Sequence, residues 1–318
     1  MGPSVRRFGR LLNFTTLCLA ASAVTGASGD IVTNVTFDDA GMAFAGYYPE
    51  LTRQAQAAGR AWGRYLDVHP DAVMDLEIAF STSIATATGG YRGSVFVANR
   101  DGFNVFEGGT AAELRDGNDR NGSAVDLRFT FSHNYILNEF WYDPDPDARV
   151  AAVPSGSLDA QSTFIHEYGH ALGFIGWSDP FDGSLPGNYR SPFDELTVFD
   201  PGTDPGTSDD NLFFVGPSAM AVYGGAVPLT YGNSKHYGND SPRPGSDLVD
   251  PGNPGLMNGV RSIRGGRRRI SDLDVAILRD IGLPVSAVAI PEPSAMLAVV
   301  VGCFGLAVRR RRSSRVEI

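Results

Sequence analysis

The spacing of apolar residues divides residues 49–131 into one helix and several strands. Within residues 49–66 the apolar positions recur every three or four residues, which predicts an amphipathic helix. Within residues 74–80 and 125–131 they alternate with polar residues, which predicts half-buried strands, and residues 94–98 read as a short apolar strand. A helix and strands in this arrangement are typical of a sheet that packs against helices.

A further helix is predicted over residues 158–173. Loop residues precede it, Ser157 is a suitable N-cap, and Asp159 falls in the first turn, where the helix dipole favours negative charge. Gly173 permits the backbone turn that ends a helix.

This helix contains the most specific chemical signal of the chain, His166-Glu167-Tyr168-Gly169-His170, which reads H-E-x-x-H. Two histidines four residues apart lie on one helix face, so both imidazoles can reach one zinc ion at about 2.0–2.1 Å. Glu167 is the predicted general base, which takes a proton from the zinc-activated water. With only five histidines in 318 residues, chance is a poor explanation of this pattern.

A catalytic zinc ion needs a third protein ligand. His236, downstream of the motif, is the favoured candidate. A carboxylate is the alternative, and the remaining histidines read as ordinary surface residues. These other candidates are, in order, Glu195 or Asp194, then Asp179, and finally His69 and His133.

The motif and its flanks resemble the metzincin zinc peptidases. In the extended pattern H-E-x-x-H-x-x-G the glycine is Gly173, but position 176, where the compact family pattern has its third histidine, is also glycine. A long insertion before His236 resembles the leishmanolysin branch, and Met257 resembles the methionine of the Met-turn, which packs beneath the metal without ligating it. The resemblance implies zinc as cofactor, the three histidines as ligands and peptide-bond hydrolysis.

The chain after the motif is predicted to be irregular until its last helix. Residues 175–260 are rich in Gly, Pro, Asp and Ser and show weak periodicity, which is typical of long loops that are either functional or mobile. The last helix is predicted over Asp272–Ile281, with Ser271 as N-cap, Asp274 as capping-box partner and Gly282 at its end.

The predicted fold class is α+β and zincin-like: a twisted mixed sheet with an HExxH active-site helix, and an irregular C-terminal subdomain ending in a helix. The predicted peptidase domain spans residues 30–285. Its upper subdomain is residues 30–174, and its lower subdomain is residues 175–285.

The two ends of the chain carry targeting signals. Residues 1–28 predict a secretory signal peptide, in which arginines precede a short apolar run and small residues. Residues 286–318 contain Pro291-Glu292-Pro293, then the apolar run 295–308, then four arginines. That run would make about 21 Å of helix against a hydrocarbon core of about 30 Å, so it is a marginal permanent transmembrane anchor.

The C-terminal tail resembles the PEP-CTERM sorting signal of Gram-negative bacteria. The resemblance implies export by the secretion machinery, transient membrane anchoring, and removal of the tail by an exosortase-type enzyme. The protein would then reside on the cell envelope or outside the cell. A plain single-pass anchor is the alternative.

The charge of the chain limits the classes of partner that it can bind, and the positions of its cysteines limit disulfide formation. The net charge is −10, and residues 30–290 carry −16, because eight of the 26 basic and two of the 36 acidic residues lie in the end segments. Such acidity argues against nucleic acid and is compatible with basic substrates. Both cysteines, Cys18 and Cys303, lie in the end segments, so the mature domain is predicted to contain no disulfide. Asp116–Gly122 is oxygen-rich and could bind calcium, but it misses the EF-hand spacing, so a solvated turn is favoured.

Two functions are compatible with these features. The first is a secreted bacterial zinc endopeptidase acting on polypeptides, with Tyr168 or Tyr237 as oxyanion partner. The second is a non-catalytic surface or matrix protein with a structural or vestigial zinc site. Glu167 favours the first, because a structural zinc site needs no base.

Overall fold

The computed structural model describes residues 29–202, 210–249, 255–260 and 263–287 of the chain. Over these residues the fold is mixed α+β. The strands are β1 Val32–Asp38, β2 Val73–Ser81, β3 Ala87–Tyr91, β4 Ser94–Arg100, β5 Phe103–Gly108, β6 Leu127–Ser132, β7 Phe140–Trp141, β8 Leu158–Asp159, β9 Tyr189–Arg190, β10 Thr197–Asp200, β11 Asn211–Phe214 and β12 Val227–Pro228. The α-helices are α1 Tyr48–Gly63, α2 Gly109–Asp116, α3 Ala160–Leu172, α4 Pro192–Glu195, α5 Pro217–Tyr223 and α6 Asp272–Asp280.

The largest sheet has the strand order β1-β2-β6-β3. Strands β1, β2 and β6 run parallel to one another, and β3 runs antiparallel to β6 at one edge. The register places Ile78 of β2 and Gly89 of β3 on either side of Phe129 in β6. Strand β3 is therefore an edge strand of this sheet.

Helices α1 and α3 cover this sheet with apolar side chains. Strand β2 buries Met74, Leu76 and Ile78 in alternation, as the sequence pattern predicts. In α1 the buried Trp62 donates from Nε1 to the Ile165 carbonyl of α3 at 2.9 Å. Burying a side chain of this size contributes about 1.5–3 kcal/mol, so the position of α3 is fixed mainly by packing.

The chain after α3 forms small sheets and long turns. Strands β10, β11 and β12 make one antiparallel sheet after α3, while β9 pairs in parallel with β5 of the earlier antiparallel pair β4–β5. Helix α6 closes the described part, and its N-terminus has the predicted capping box between Ser271 and Asp274. Its cap residue is Ile281, one residue beyond Asp280, and Gly282 follows with φ +97°.

The predicted elements are present with small shifts in their ends. The early helix, predicted over residues 49–66, is α1, and the two alternating strands are β2 and β6. The N-cap prediction for the motif helix was wrong. The structure places Ser157 before a short strand, and Asp159 is the N-cap, because its carboxylate accepts from the Ser162 amide.

The predicted signal peptide and the sorting motif with its apolar run lie outside the described residues. Among the described residues, no helix is both long and apolar enough to cross a membrane.

Candidate metal centre

Helix α3 carries His166, Glu167 and His170, and Gly169, which lies between Glu167 and His170, is closely packed against neighbouring side chains. A Cβ atom on Gly169 would lie 2.7 Å from the Met257 sulfur and 3.3 Å from the Trp62 ring. The methionine side chain therefore lies directly against the motif helix and is fully buried. A larger residue here would have to displace the end of the Met257 side chain, so glycine is favoured by this close approach rather than by an unusual backbone angle.

The three histidines of the sequence prediction converge on one point. His236 Nε2 lies 3.0 Å from His166 Nε2 and 3.1 Å from His170 Nε2. Three nitrogens around a tetrahedral zinc ion at about 2.05 Å would be about 3.3 Å apart. The spacing of the donor atoms is therefore close to that of a zinc site.

Hydrogen bonds on the far side of two rings fix their tautomers. His166 Nδ1 lies 2.8 Å from the Leu256 carbonyl, and His170 Nδ1 lies 2.8 Å from the Phe174 carbonyl. A carbonyl oxygen only accepts, so each Nδ1 carries the proton and each Nε2 offers a lone pair. The third ring differs, since His236 Nδ1 is buried without a hydrogen-bond partner among the described residues.

This arrangement fits a metal cation. A single proton on His236 Nε2 could bond to only one of the two facing lone pairs, whereas a cation would satisfy all three nitrogens. Protonation is opposed by the surroundings: burial lowers the pKa of His170 to about 4, and burial together with the neighbouring histidines holds the pKa of His166 and of His236 well below the usual range. Three neutral imidazoles form a donor set that suits zinc and other late first-row ions.

Glu167 lines the same cleft as the histidines and is only 4% exposed. Burial raises its pKa to about 8, although the Gly89 backbone amide donates to its carboxylate and opposes the shift. A cation at the three histidines would favour the ionised form. Strand β3 approaches very closely here, because a Cβ atom on Gly89 would lie 2.6 Å from both the Cβ atom and the carbonyl oxygen of Glu167.

His236 is positioned by the turn that contains Met257. The Tyr237 amide donates to the Met257 carbonyl at 3.1 Å, and the Gly259 amide donates to the Tyr237 carbonyl at 3.2 Å. Asp274 at the start of α6 accepts from the Leu256 and Met257 amides. The turn thus connects the third histidine to the last helix, and its Leu256 carbonyl also orients His166.

The rival ligands are occupied elsewhere. Glu195 forms ion pairs with Arg100 and Arg190. Asp194 accepts from the Trp177 and Ser178 amides and closes the capping box of α4. Asp179 accepts from the Phe181 and Asp182 amides, His69 lies against Gly117, and His133 contacts the Phe44 ring edge-on.

The two tyrosines expected as oxyanion partners are absent from the cleft lining. The Tyr168 hydroxyl hydrogen-bonds to Thr33, and the Tyr237 hydroxyl donates to Asp274; both rings are buried. Sequence reasoning instead missed three residues that line this cleft of about 500 Å³, namely Tyr135, Lys235 and Arg268. Their distance from the motif along the chain explains why its spacing gave no signal for them.

A second group of carboxylates lies away from this cleft. Oxygens of Glu113, Asp119 and Asp126 lie within 4.8 Å of one another, and Glu113 and Asp126 are buried. Burial, with the neighbouring carboxylates, raises the pKa of Glu113 to about 7. Only Asp119 comes from the oxygen-rich loop, whose Asp116 pairs with Arg120. Calcium binding remains a prediction.

Comparison of the chain with protein-family models, with curated proteins and with solved structures gave no match.

Proposed function

We propose that the protein is a zinc-dependent endopeptidase with a zincin-like fold of metzincin type. The observation that carries the proposal is the convergence of three imidazole nitrogens beside Glu167 in an open cleft. A buried carboxylate next to a three-histidine site is what metal-assisted hydrolysis requires, since the fourth position stays open for water and substrate.

The position of the cleft supports a polypeptide substrate. Thr86, Ala87, Thr88 and Gly89 line it, and three of them belong to the edge strand β3. An extended peptide can add to such an edge through backbone hydrogen bonds. In this proposal the scissile bond of a peptide lying along β3 faces the three histidines.

The proposed mechanism assigns one role to each residue of the site. Zinc, when bound, polarises the scissile carbonyl and lowers the pKa of the attacking water. Glu167 accepts the proton of that water and passes it to the leaving amine. His166 and His170 are kept in the ligating tautomer by the Leu256 and Phe174 carbonyls, and Met257 supports the helix from below.

The proposal includes export from a Gram-negative bacterium to the envelope surface or the medium, with exosortase-type processing of the tail. The export and processing parts of the proposal rest on the two end segments of the sequence, residues 1–28 and 286–318.

The first prediction tests the function. Glu167→Gln keeps three ligands, so zinc should stay bound while casein hydrolysis falls by at least about 100-fold, the lower end for loss of a general base. Zinc content by atomic emission and the hydrolysis rate are measured on the same sample. Near-normal turnover would remove Glu167 from the mechanism. A zinc-loaded wild-type protein that cleaves nothing would favour a non-catalytic surface protein instead.

A further inference from the structure

The candidate cleft holds the only lysine of the chain. All other basic residues are arginines, and Lys235 lies directly before His236 with its side chain exposed on the cleft lining. It also lines an adjoining hollow formed with Trp177 and Tyr189. Within the part of the chain that the structure describes, no carboxylate pairs with its ammonium group.

Arg268 is a second cation on the same lining. Its Nη1 donates to the Leu256 carbonyl at 3.2 Å and to the Asn258 carbonyl at 2.8 Å. Among the described residues, Nε and Nη2 form no hydrogen bond and no carboxylate pairs with the guanidinium group. The group is thus anchored through one nitrogen, which leaves N–H donors that suit a carboxylate.

The acidic residues of the lining do not cancel these two cations. Asp159 is compensated by Arg149 at 2.7 Å and by Arg267 at 3.5 Å. Glu167 is the other lining carboxylate, and it lies beside the three histidines. Lys235 and Arg268 therefore carry positive charges that no carboxylate of the lining pairs with, in a chain whose net charge is −10.

The two cations lie near different histidines. Arg268 Nη1 donates to the Leu256 carbonyl, which also bonds to His166 Nδ1. Lys235 directly precedes His236 and lies close enough to His170 to lower its pKa. His166 and His170 are about one helical turn apart, roughly 6 Å, which an extended peptide at about 3.4 Å per residue covers in about two residues. A peptide centred on the histidines thus passes both cations within about two residues of the scissile bond.

We propose that the cleft selects acidic polypeptide segments, with one carboxylate side chain on each side of the scissile bond held by Lys235 and by Arg268. The proposal rests on the proposed peptidase function and names its substrate class. It replaces the sequence-based idea of basic substrates, because the charges of Lys235 and Arg268 are opposite to that of the whole chain. Association with such substrates should weaken as salt screens the charges.

The test uses C-terminally amidated peptides of one sequence, carrying Glu, Gln or Lys two residues before and after the scissile bond. Cleavage is measured with the zinc-loaded wild-type protein. Binding is measured separately by fluorescence anisotropy on zinc-loaded Glu167→Gln, which needs no hydrolysis. The Glu peptide should bind about 25-fold more tightly than the Gln peptide, which corresponds to about fivefold for each of two partly exposed charge pairs, and the Lys peptide should bind weakest.

Substitutions of Lys235 assign the preference to its side chain. Lys235→Met should reduce the preference for Glu at one of the two positions by about fivefold, and Lys235→Glu should reverse it there. Arg64→Met, an exposed arginine that follows α1, is the matched control and should change nothing. Zinc content of each variant shows that the site is intact.

A check without substitution uses the uniqueness of Lys235. Acetylation of this residue, followed by mass spectrometry, should slow in the presence of the Glu peptide and not of the Lys peptide.

The two proposals fail in different ways. Equal binding of the three peptides, or a preference unchanged in both Lys235 variants, would overturn the acidic specificity whatever the cleavage rates. Selective binding of the Glu peptide without any cleavage would leave the specificity standing and overturn the peptidase function.

Discussion

The two sides of the candidate metal centre are held by different interactions. His166 and His170 belong to α3, a regular helix fixed by buried aromatic and aliphatic side chains around Trp62. His236 belongs to a turn, where its own amide donates to Asn233 and its carbonyl accepts from Thr230. Around that turn, buried polar side chains bond to the backbone, for example Asn258 to the Leu248 carbonyl at 2.7 Å.

This difference changes what each side tolerates. A packed helix resists changes of side-chain volume, because interiors are close-packed and gain or lose contacts with every methylene. A turn held by polar side chains resists loss of a partner, because each orphaned buried group costs about 1–3 kcal/mol.

His236→Ala should abolish stable metal binding. It removes one of the three proposed ligands, so zinc affinity should fall by more than about 100-fold, which exceeds the usual effect of losing an outer-shell partner. Zinc content after dialysis against a mild chelator measures this.

Glu195→Ala, His69→Ala and His133→Ala serve as controls and should retain zinc, because these residues lie in other contacts. Zinc loss in Glu195→Ala but not in His236→Ala would show that the observed convergence of rings is not the binding site.

Asp274→Ala should be the most destabilising polar substitution on the turn side. Asp274 is fully buried and accepts from the Tyr237 hydroxyl, from Ser271 and from the Leu256 and Met257 amides. Leaving these donors unpaired should lower the free energy of unfolding by about 3–5 kcal/mol. Zinc affinity should also fall, because Leu256 orients His166.

The matched control is Asp272→Ala, an exposed acid in the first turn of the same helix. It loses only an interaction with the helix dipole, about 0.5 kcal/mol. Both values come from urea unfolding. Equal effects of the two substitutions would contradict the role given to the buried network.

Sequence patterns predicted the helix that carries His166 and His170, and the elements packed on it, better than they predicted the turn that carries His236. Periodicity gave α1, β2 and β6 nearly in full because their apolar faces are buried, and that burial is what the pattern records. It gave no account of how His236 is held, since Asn258 and Asp274 act through contacts between residues far apart in the chain. The capping box of Asp274 was predicted, but its bonds to Leu256 and Met257 depend on tertiary structure.

The same limit applies to the candidate site. Local spacing identified His166, Glu167 and His170 on one helix, because four residues make about one turn. Cleft residues such as Lys235 and Arg268 carry no spacing signal. Their approach to the motif is decided by how the irregular chain returns to α3.

Gly89→Ala should disrupt the packing of β3 against α3, because the added methyl group has no room. The added methyl group would lie 2.6 Å from the Cβ atom and the carbonyl oxygen of Glu167, so β3 and α3 must separate. The free energy of unfolding should fall by about 1–3 kcal/mol, and the proposed hydrolysis should fall further because Glu167, the proposed base, would move. Gly90→Ala is the neighbouring control, since its nearest atom is Ile175 Cδ1 at 3.4 Å. Comparable losses in both variants would refute the close-approach argument.

Glu113→Gln tests whether a buried carboxylate near β2 lowers the stability of the protein at neutral pH. Glu113 is 3% exposed, its carboxylate accepts from the Val73 amide, and burial raises its pKa to about 7 from an ordinary 4.5. The unfolded chain therefore ionises more readily than the folded one, so the contribution of Glu113 to stability is greatest below about pH 4.5 and falls as the pH rises towards 7. The loss should be on the order of 1–3 kcal/mol, and it arises mainly from the cost of burying the charge. Glu113→Gln should remove this part of the pH dependence and stabilise the protein at pH 7, as measured by urea unfolding between pH 4.5 and 8. Asp71→Asn, an exposed acid on the turn before β2, should leave the slope unchanged.

Repeating the series with calcium chloride tests calcium binding at this group. A cation held by Glu113 would favour its ionised form, so wild-type stability would rise at pH 7 and the substitution would remove that gain.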